Sequence, residues 1–251
     1  QVQKPARYVG GEYNQIVKDK RDVDVRVAFC FPDTYEIGMS NIGMRILYGL
    51  MNELPGVWCE RVFAPWGDME EKMREHAIPL YALESHDPVR AFDLIAFTIG
   101  YEMSYTNILN MLDLSGVPLL ARERKGLENI VFAGGVCAVN PEPLADFIDF
   151  FSFGEGEEIT KEILACYRQA KKDGCSKEEF LLRVSRIDGV YVPSFYEHSY
   201  NPDGMLAAIT PKNGAPAKVR KRIVQDMDAA YFPTKTIVPS TEIVHDRTNL
   251  E

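Results

Sequence analysis

A polar loop near the start of the chain has the composition and position of a ligand-binding loop. It runs from Asp33 to Asn41, after the apolar run Val25–Phe31 and before the amphipathic stretch Ile42–Leu54. A strand that stops at a glycine-bearing polar loop and continues as a helix is where α/β proteins bind ligands. The loop is therefore predicted to bind a small molecule.

The histidines and cysteines favour binding over catalysis by this chain. The four histidines are isolated, and the five cysteines are scattered without a C-x-x-C pair. Neither set has the spacing of metal ligands, so we predict no metal site built by this chain. No Ser-His-Asp or Cys-His arrangement can be assigned either, and no catalytic residue is predicted.

Strand-length apolar runs alternate with helix-period segments through most of the chain. The predicted strands are Val25–Phe31, Val57–Ala64, Asp93–Ile99, Asn129–Ala133 and Phe147–Phe153. Several are apolar on both faces, as in a sheet that helices cover on each side. The pattern predicts an α/β fold with a doubly wound, parallel, five-stranded, flavodoxin-like (Rossmann-like) sheet. The short run Leu80–Leu83 fits either a further strand or a loop.

Four loops are expected to meet at one edge of this sheet. With strand order 2-1-3-4-5, the order reverses between the first and third strands, and ligands bind beyond their carboxyl ends. The loops there are Asp33–Asn41 and Thr98–Asn107. Gly134-Gly135 ends the fourth strand and would let a bulky ligand approach the backbone. Gly154–Glu158 follows the fifth strand, so the four loops together indicate a pocket.

Each loop also has a purely structural interpretation. Asp33 and Ser40 could cap helices, and a Gly-Gly pair after a strand often makes only a turn. Gly154–Glu158 could simply begin a helix, and Met39 could fill the core. The position of all four loops after successive strands favours the ligand site.

The pattern changes in the last third of the chain. Ser176 and Glu179 form a capping box that starts a further helix. Val190–Tyr200 and Met205–Thr210 flank a turn and predict a hairpin. The proline-punctuated residues from 212 onward predict an extended arm that packs against a neighbouring domain.

We therefore divide the chain into four segments. They are an N-terminal extension (1–22), the α/β domain (23–174), the helix and hairpin (175–211) and the arm (212–251). The end of the sequence carries no terminal signal, and we expect it to be a fragment of a longer protein.

The composition limits the partners. The chain has 46% hydrophobic and 26% charged residues, as in globular proteins, and a formal net charge of −9. This charge opposes binding to nucleic acid or to an anionic membrane, and the basic cluster Lys218–Arg222 is interpreted as a solvated linker. No apolar stretch predicts a membrane helix or a signal peptide. The odd number of scattered cysteines predicts reduced thiols and a cytoplasmic location.

Ordered motifs in the four loops resemble a known domain family. Asp33-x-Tyr35-x-x-Gly38, Thr98-x-Gly100 and Gly134-Gly135 resemble the D-x-H-x-x-G, S-x-L and G-G pattern of cobalamin-binding domains. Four longer strings look like the amino-terminal domain of cobalamin-binding-domain-containing radical S-adenosylmethionine (SAM) proteins. These strings are Tyr35–Asn41, Tyr101–Asn107, Asn140–Pro143 and Gly154–Glu158. The resemblance implies the cofactor-binding residues Asp33, Tyr35, Glu36, Gly38, Met39, Ser40, Asn41, Thr98, Gly100, Tyr101, Glu102, Tyr105, Asn107, Gly134, Gly135, Asn140, Glu142, Gly154, Glu155 and Gly156.

The resemblance also implies what a parent protein would add. In that family the sequence after His245-Asp246-Arg247 leads into a barrel strand and a C-x-x-x-C-x-x-C motif. Its thiolates hold a four-iron, four-sulfur cluster that binds and reductively cleaves SAM. The 251 residues lack this motif. The resemblance therefore assigns the cluster and SAM to the parent protein, whose radical SAM domain would be this segment's partner.

One residue departs from the signature. Tyr35 stands where cobalamin-binding domains have the histidine that ligates cobalt. A neutral phenol is a poor metal ligand compared with imidazole. We therefore expect cobalamin to bind without a protein nitrogen ligand, through backbone contacts and side-chain hydrogen bonds. The alternative is that the fold has kept the outline of the site and lost the ligand.

Two functions are compatible with these features. The first is a cofactor- or substrate-binding module of a radical SAM enzyme, with cobalamin as the leading ligand. The second is a non-catalytic module that docks onto a partner domain through its hairpin and arm. A phosphoacceptor receiver needs an aspartate after the third strand, where this chain has Thr98-Ile99-Gly100. A flavodoxin needs a first loop rich in hydroxyls and glycine, whereas this loop is acidic and aromatic.

Overall fold

Five parallel strands form the centre of the chain in the order β2-β1-β3-β4-β5. The computed structural model describes residues 2–245, so Asp246 and Arg247 of the sequence motif lie outside the described residues. The strands are β1 (Val25–Phe31), β2 (Val57–Phe63), β3 (Leu94–Thr98), β4 (Ile130–Gly134) and β5 (Phe150–Ser152). The predicted doubly wound, flavodoxin-like α/β fold is confirmed.

A sixth strand, β6 (Val190–Tyr191), pairs antiparallel with β5 at the edge of the sheet. It was not predicted, because two residues are too few to show a period. The sequence pattern also merged it with the hairpin that follows. The hairpin is a separate two-stranded sheet formed by β7 (Tyr196–Tyr200) and β8 (Leu206–Pro211). Leu80–Leu83 is a loop with one isolated bridge, from Tyr81 to Pro88.

Helices cover both faces of the sheet. They are α1 (Tyr35–Met39), α2 (Ile42–Glu53), α3 (Gly67–Glu75), α4 (Tyr105–Ser115), α5 (Gly156–Asp173) and α6 (Lys177–Val184). Buried side chains of α2, α5 and α6 pack on one face, and those of α3 and α4 on the other. The capping box at the start of α6 is present as predicted. Helix α3 was not predicted, because Met73 is its only buried residue. No helix among residues 2–245 is long and apolar enough to cross a membrane.

The strands are buried on both faces because their apolar residues continue through both side-chain directions. In β1, Val27 and Phe29 belong to the core cluster on one face, and Ala28 and Cys30 to that on the other. Each of these four residues is at most 3% exposed. A parallel sheet covered on both sides requires this pattern, and it places the strand ends, rather than the strand faces, in contact with solvent.

The C-terminal arm packs against the chain's own α/β domain. Arg222 forms a parallel bridge with Gly154, and the Tyr231 ring lies against Gly49 of α2. Val238 pairs with Tyr13 of the N-terminal extension. The arm then reaches α1, where the backbone N–H of His245 donates to Ser40 Oγ over 3.0 Å. The described chain therefore ends at the carboxyl edge of the sheet.

Candidate functional site

A cavity of about 300 Å³ opens at the carboxyl edge, between the sheet and helices α2 and α5. Its apolar walls come from Phe29 of β1, Phe132 of β4, and Leu47 and Met51 of α2. We call it the edge cavity. It lies where the strand order reverses, because residues of β1 and β3 both line it.

Glycines let backbone form much of the cavity wall. Gly100, Gly134, Gly135, Gly154 and Gly156 all line it. Gly135 has φ +102°, and a Cβ there would lie 2.6 Å from the carbonyl oxygen of Ile99. A Cβ on Gly134 would lie 2.7 Å from Ser152 Oγ. Larger residues would therefore strain the β4 loop and displace its neighbours.

Three hydroxyl groups face the same space. Thr98, Ser152 and Thr160 line the edge cavity. Their hydroxyls form no hydrogen bond with another of residues 2–245. Asn41 also lines the cavity, and its Oδ1 caps α2 by accepting from Met44 N over 2.9 Å. The cavity can therefore hold a largely apolar ligand and offer it a few hydrogen bonds.

The loops after β1 and β3 are joined beside the opening. The Tyr101 hydroxyl donates to the Asp33 carboxylate, and Asn107 Nδ2 donates to the Pro32 carbonyl oxygen over 2.9 Å. The hydrogen bond to Asp33, together with partial burial, raises the pKa of Tyr101 to about 12. Tyr101 is therefore a neutral donor at physiological pH, and Asp33 and Asn107 position loops.

The loops after β3 and β4 are joined in a similar way. The single O–H of Tyr105 is shared between the carbonyl oxygens of Cys137 (3.3 Å) and Asn140 (3.2 Å). The Cys137 N–H donates to the Ile99 carbonyl oxygen over 3.2 Å. Glu102 is exposed beside them. These bonds fix the loops that surround the opening.

Tyr35 lies in the core instead of facing the cavity. Its side chain is 1% exposed, and its hydroxyl donates to Glu12 Oε1 over 2.9 Å. Burial, followed by the nearby Glu12 charge, raises the pKa of Tyr35 to about 12. The hydroxyl stays protonated at neutral pH and is hydrogen-bonded to Glu12 of the N-terminal extension. It is therefore not available as a metal ligand.

The other residues of the first loop hold α1 in place. Burial pushes the pKa of Glu36 upward, but its backbone hydrogen bond and its contacts with Arg7 (2.9 Å) and Lys4 (3.1 Å) outweigh burial and lower that pKa. A Cβ on Gly38 would lie 2.2 Å from the Phe63 ring. The Met39 side chain is buried, and the Ser40 hydroxyl donates to the Glu36 carbonyl oxygen over 2.6 Å.

Two predicted site residues anchor the hairpin and the arm. Glu142 accepts from the Tyr191 hydroxyl over 2.6 Å and lies 3.2 Å from His198 Nε2 of the hairpin. The Glu155 carboxylate accepts from the backbone N–H of Val224. Neither residue lines the edge cavity. The basic cluster also contributes here, because Arg222 pairs with two glutamates of α5.

Of the twenty predicted site residues, some line the edge cavity and the others hold the surrounding loops, the hairpin or the arm in place. Those that line the cavity are Asn41, Thr98, Gly100, Gly134, Gly135, Gly154 and Gly156. The lining residues that were not among the predicted site residues are Phe29, Gly43, Leu47, Met51, Ala96, Phe97, Ile99, Phe132, Val136, Ser152 and Thr160. Spacing could have identified some of them. Gly43, Leu47 and Met51 lie four residues apart on one face of α2.

Among residues 2–245, no group of three or more His, Cys, Asp or Glu side chains is placed to hold a metal ion.

Comparison with known proteins places the chain in a family. Residues 43–193 match the family model described as "Radical SAM proteins, N-terminal". An uncharacterized protein of Methanocaldococcus jannaschii is 29% identical over 222 residues, which cover 83% of this chain and 42% of that protein. The chain thus spans less than half the length of this relative. No solved structure matches this chain. The matched region contains β2 to β5 and most of the edge cavity, and the chain belongs to the family of N-terminal domains of radical SAM proteins.

Proposed function

We propose that this chain is the cofactor-binding module of a radical SAM protein, and that the edge cavity binds the nucleotide end of a cobalamin. The observation that carries the proposal is the edge cavity itself, at the reversal of strand order, with glycine backbone and the hydroxyl-bearing residues Thr98, Ser152 and Thr160 in its lining. The parent protein's radical SAM domain would supply the iron–sulfur cluster and SAM.

The residues present fit the nucleotide end of cobalamin. Its base is a flat aromatic group, and the aromatic side chains of Phe29 and Phe132 are among the residues that line the cavity. Its volume of about 300 Å³ is at the lower end for small-molecule sites. The hydroxyls of Thr98 and Ser152 could bond the polar atoms of a ribose. When bound, cobalamin would supply organometallic chemistry that protein side chains lack.

The same residues do not supply a cobalt ligand. Tyr35 is buried, protonated and bonded to Glu12. A base seated in the cavity could not also ligate cobalt. We therefore expect bound cobalamin to lack both its own base and a protein nitrogen as ligands.

Addition of hydroxocobalamin to the purified chain tests this function. We expect the cofactor to stay with the protein after desalting, at about one per chain, with the visible spectrum of cobalamin released from its base. Loss of all colour on desalting, repeated with several forms of cobalamin, would show that the chain does not bind cobalamin.

The exposed hairpin favours a second function, a docking module that binds no cobalamin. Tyr200, Met205 and Leu206 are each at least 50% exposed. A two-stranded hairpin is marginally stable without a packing partner. Failure to retain cobalamin, combined with reduced exposure of the hairpin in the full-length protein, would support this alternative.

A further inference from the structure

Exposed apolar side chains surround the opening of the edge cavity. Met103 is 84% exposed, Val136 75% and Val139 64%. Met103 follows β3, and the two valines follow β4. Ile37, Ile42 and Tyr101 are also exposed at this edge, by 39%, 50% and 40%. We call these six residues the edge surface. Single exposed apolar residues are common, but a group around a pocket marks an interaction site.

Hydrogen bonds between neighbouring loops hold the edge surface in place. Tyr101 is bonded to Asp33, which joins the loops after β1 and β3. Tyr105 bonds the carbonyl oxygens of Cys137 and Asn140, which joins the loops after β3 and β4. A preformed surface loses little conformational entropy on docking. The exposed apolar side chains therefore lie on loops that are already ordered before docking.

The last described residues of the arm lie close to the edge surface. Ser240 N lies 3.3 Å from the Tyr35 hydroxyl, and His245 N donates to Ser40 Oγ over 3.0 Å. Ser40 lies two residues before Ile42 of the edge surface. A domain joined through this arm would therefore be held next to the edge surface at high effective concentration.

We propose that the edge surface docks the radical SAM domain of the same polypeptide, so that the edge cavity opens toward that domain. This rests on the chain being a module of a radical SAM protein and does not require that cobalamin binds. The apolar side chains would be buried at the domain interface, as in the cores of stable interfaces. The hairpin, by contrast, is anchored on Glu142 through His198.

Cysteine labelling in the full-length, cluster-loaded protein without cobalamin tests the docking. Met103→Cys and Val139→Cys probe the edge surface, Ile78→Cys probes the opposite edge, and Met205→Cys probes the hairpin. Ile78 is 43% exposed, and Met205 is 66% exposed. Rates of maleimide labelling, read at each position by mass spectrometry of peptides, should be at least about tenfold lower at 103 and 139 than at 78.

Equal rates at 78, 103 and 139 would overturn the proposal, as would slow labelling at 205 alone. Protection that increases with protein concentration would instead assign the surface to a second copy. Met103→Glu should speed labelling of Val139→Cys at least about tenfold, since a charge is costly at an apolar interface, whereas Ile78→Glu should not. Both positions are exposed within this domain, so neither glutamate should prevent folding.

Discussion

Replacing Arg61 by methionine should lower the free energy of unfolding by about 3–5 kcal/mol. Arg61 is 1% exposed and pairs with Glu12 at 2.8 Å and with Glu84 at 2.6 Å. Both carboxylates are themselves buried, so the variant leaves two acidic groups without their cationic partner. The network also holds the N-terminal extension over β2 and, through Glu12, fixes Tyr35. Urea unfolding of the purified chain measures the effect.

An exposed ion pair provides the control. Arg21 pairs with Asp19, and the Arg21 side chain is 88% exposed. Exposed pairs of this kind contribute little to stability, so Arg21→Met should leave the urea unfolding curve close to that of the unmodified chain. A loss below about 1 kcal/mol for Arg61→Met would show that Glu12 and Glu84 find other partners.

Replacing Thr160 by phenylalanine should weaken hydroxocobalamin binding at least about 100-fold, equivalent to about 2.7 kcal/mol. Thr160 lies on α5, is 7% exposed and lines the edge cavity. The added ring would extend into the space assigned to the nucleotide and exclude it. Because that space is a cavity, the ring need not displace packed side chains. Affinity is measured by titration followed through the visible spectrum.

Thr160→Ser is the matched control. It keeps the hydroxyl and adds no volume, so affinity should change by less than about tenfold. Unfolding curves of both variants should resemble that of the unmodified chain. Full affinity in Thr160→Phe, with the fold intact, would place the cofactor outside the edge cavity.

The sheet could be predicted from sequence because its strands are apolar on both faces. Val25–Phe31 was predicted with the bounds that β1 has in the structure. The order 2-1-3-4-5 followed from alternating strands and helices, and it correctly located the edge where a cavity opens. Gly134 and Gly135 were correctly predicted to lie at this edge, because they come directly at the end of the fourth predicted strand.

Side-chain direction could not be predicted from the same pattern. Tyr35 begins α1, within the segment that was predicted as a loop after β1, yet its hydroxyl donates to Glu12, a residue 23 positions earlier in the N-terminal extension. Nothing in the local sequence shows that the extension covers this loop. Ser152 and Thr160 were missed because isolated hydroxyl residues give no periodic signal. Thr160 reaches the cavity only because α5 packs beside α2, whereas Ser152 reaches it from the end of β5.

The edge cavity is proposed to bind the nucleotide end of cobalamin, and cobinamide, which has the corrin ring and cobalt but lacks the nucleotide, tests this. The affinity of the chain for hydroxocobalamin is compared with its affinity for cobinamide. If the cavity holds the nucleotide, hydroxocobalamin should bind at least about 100-fold more tightly than cobinamide. Equal affinity for the two would show that the nucleotide binds elsewhere or not at all, because the edge cavity would then contribute nothing to binding.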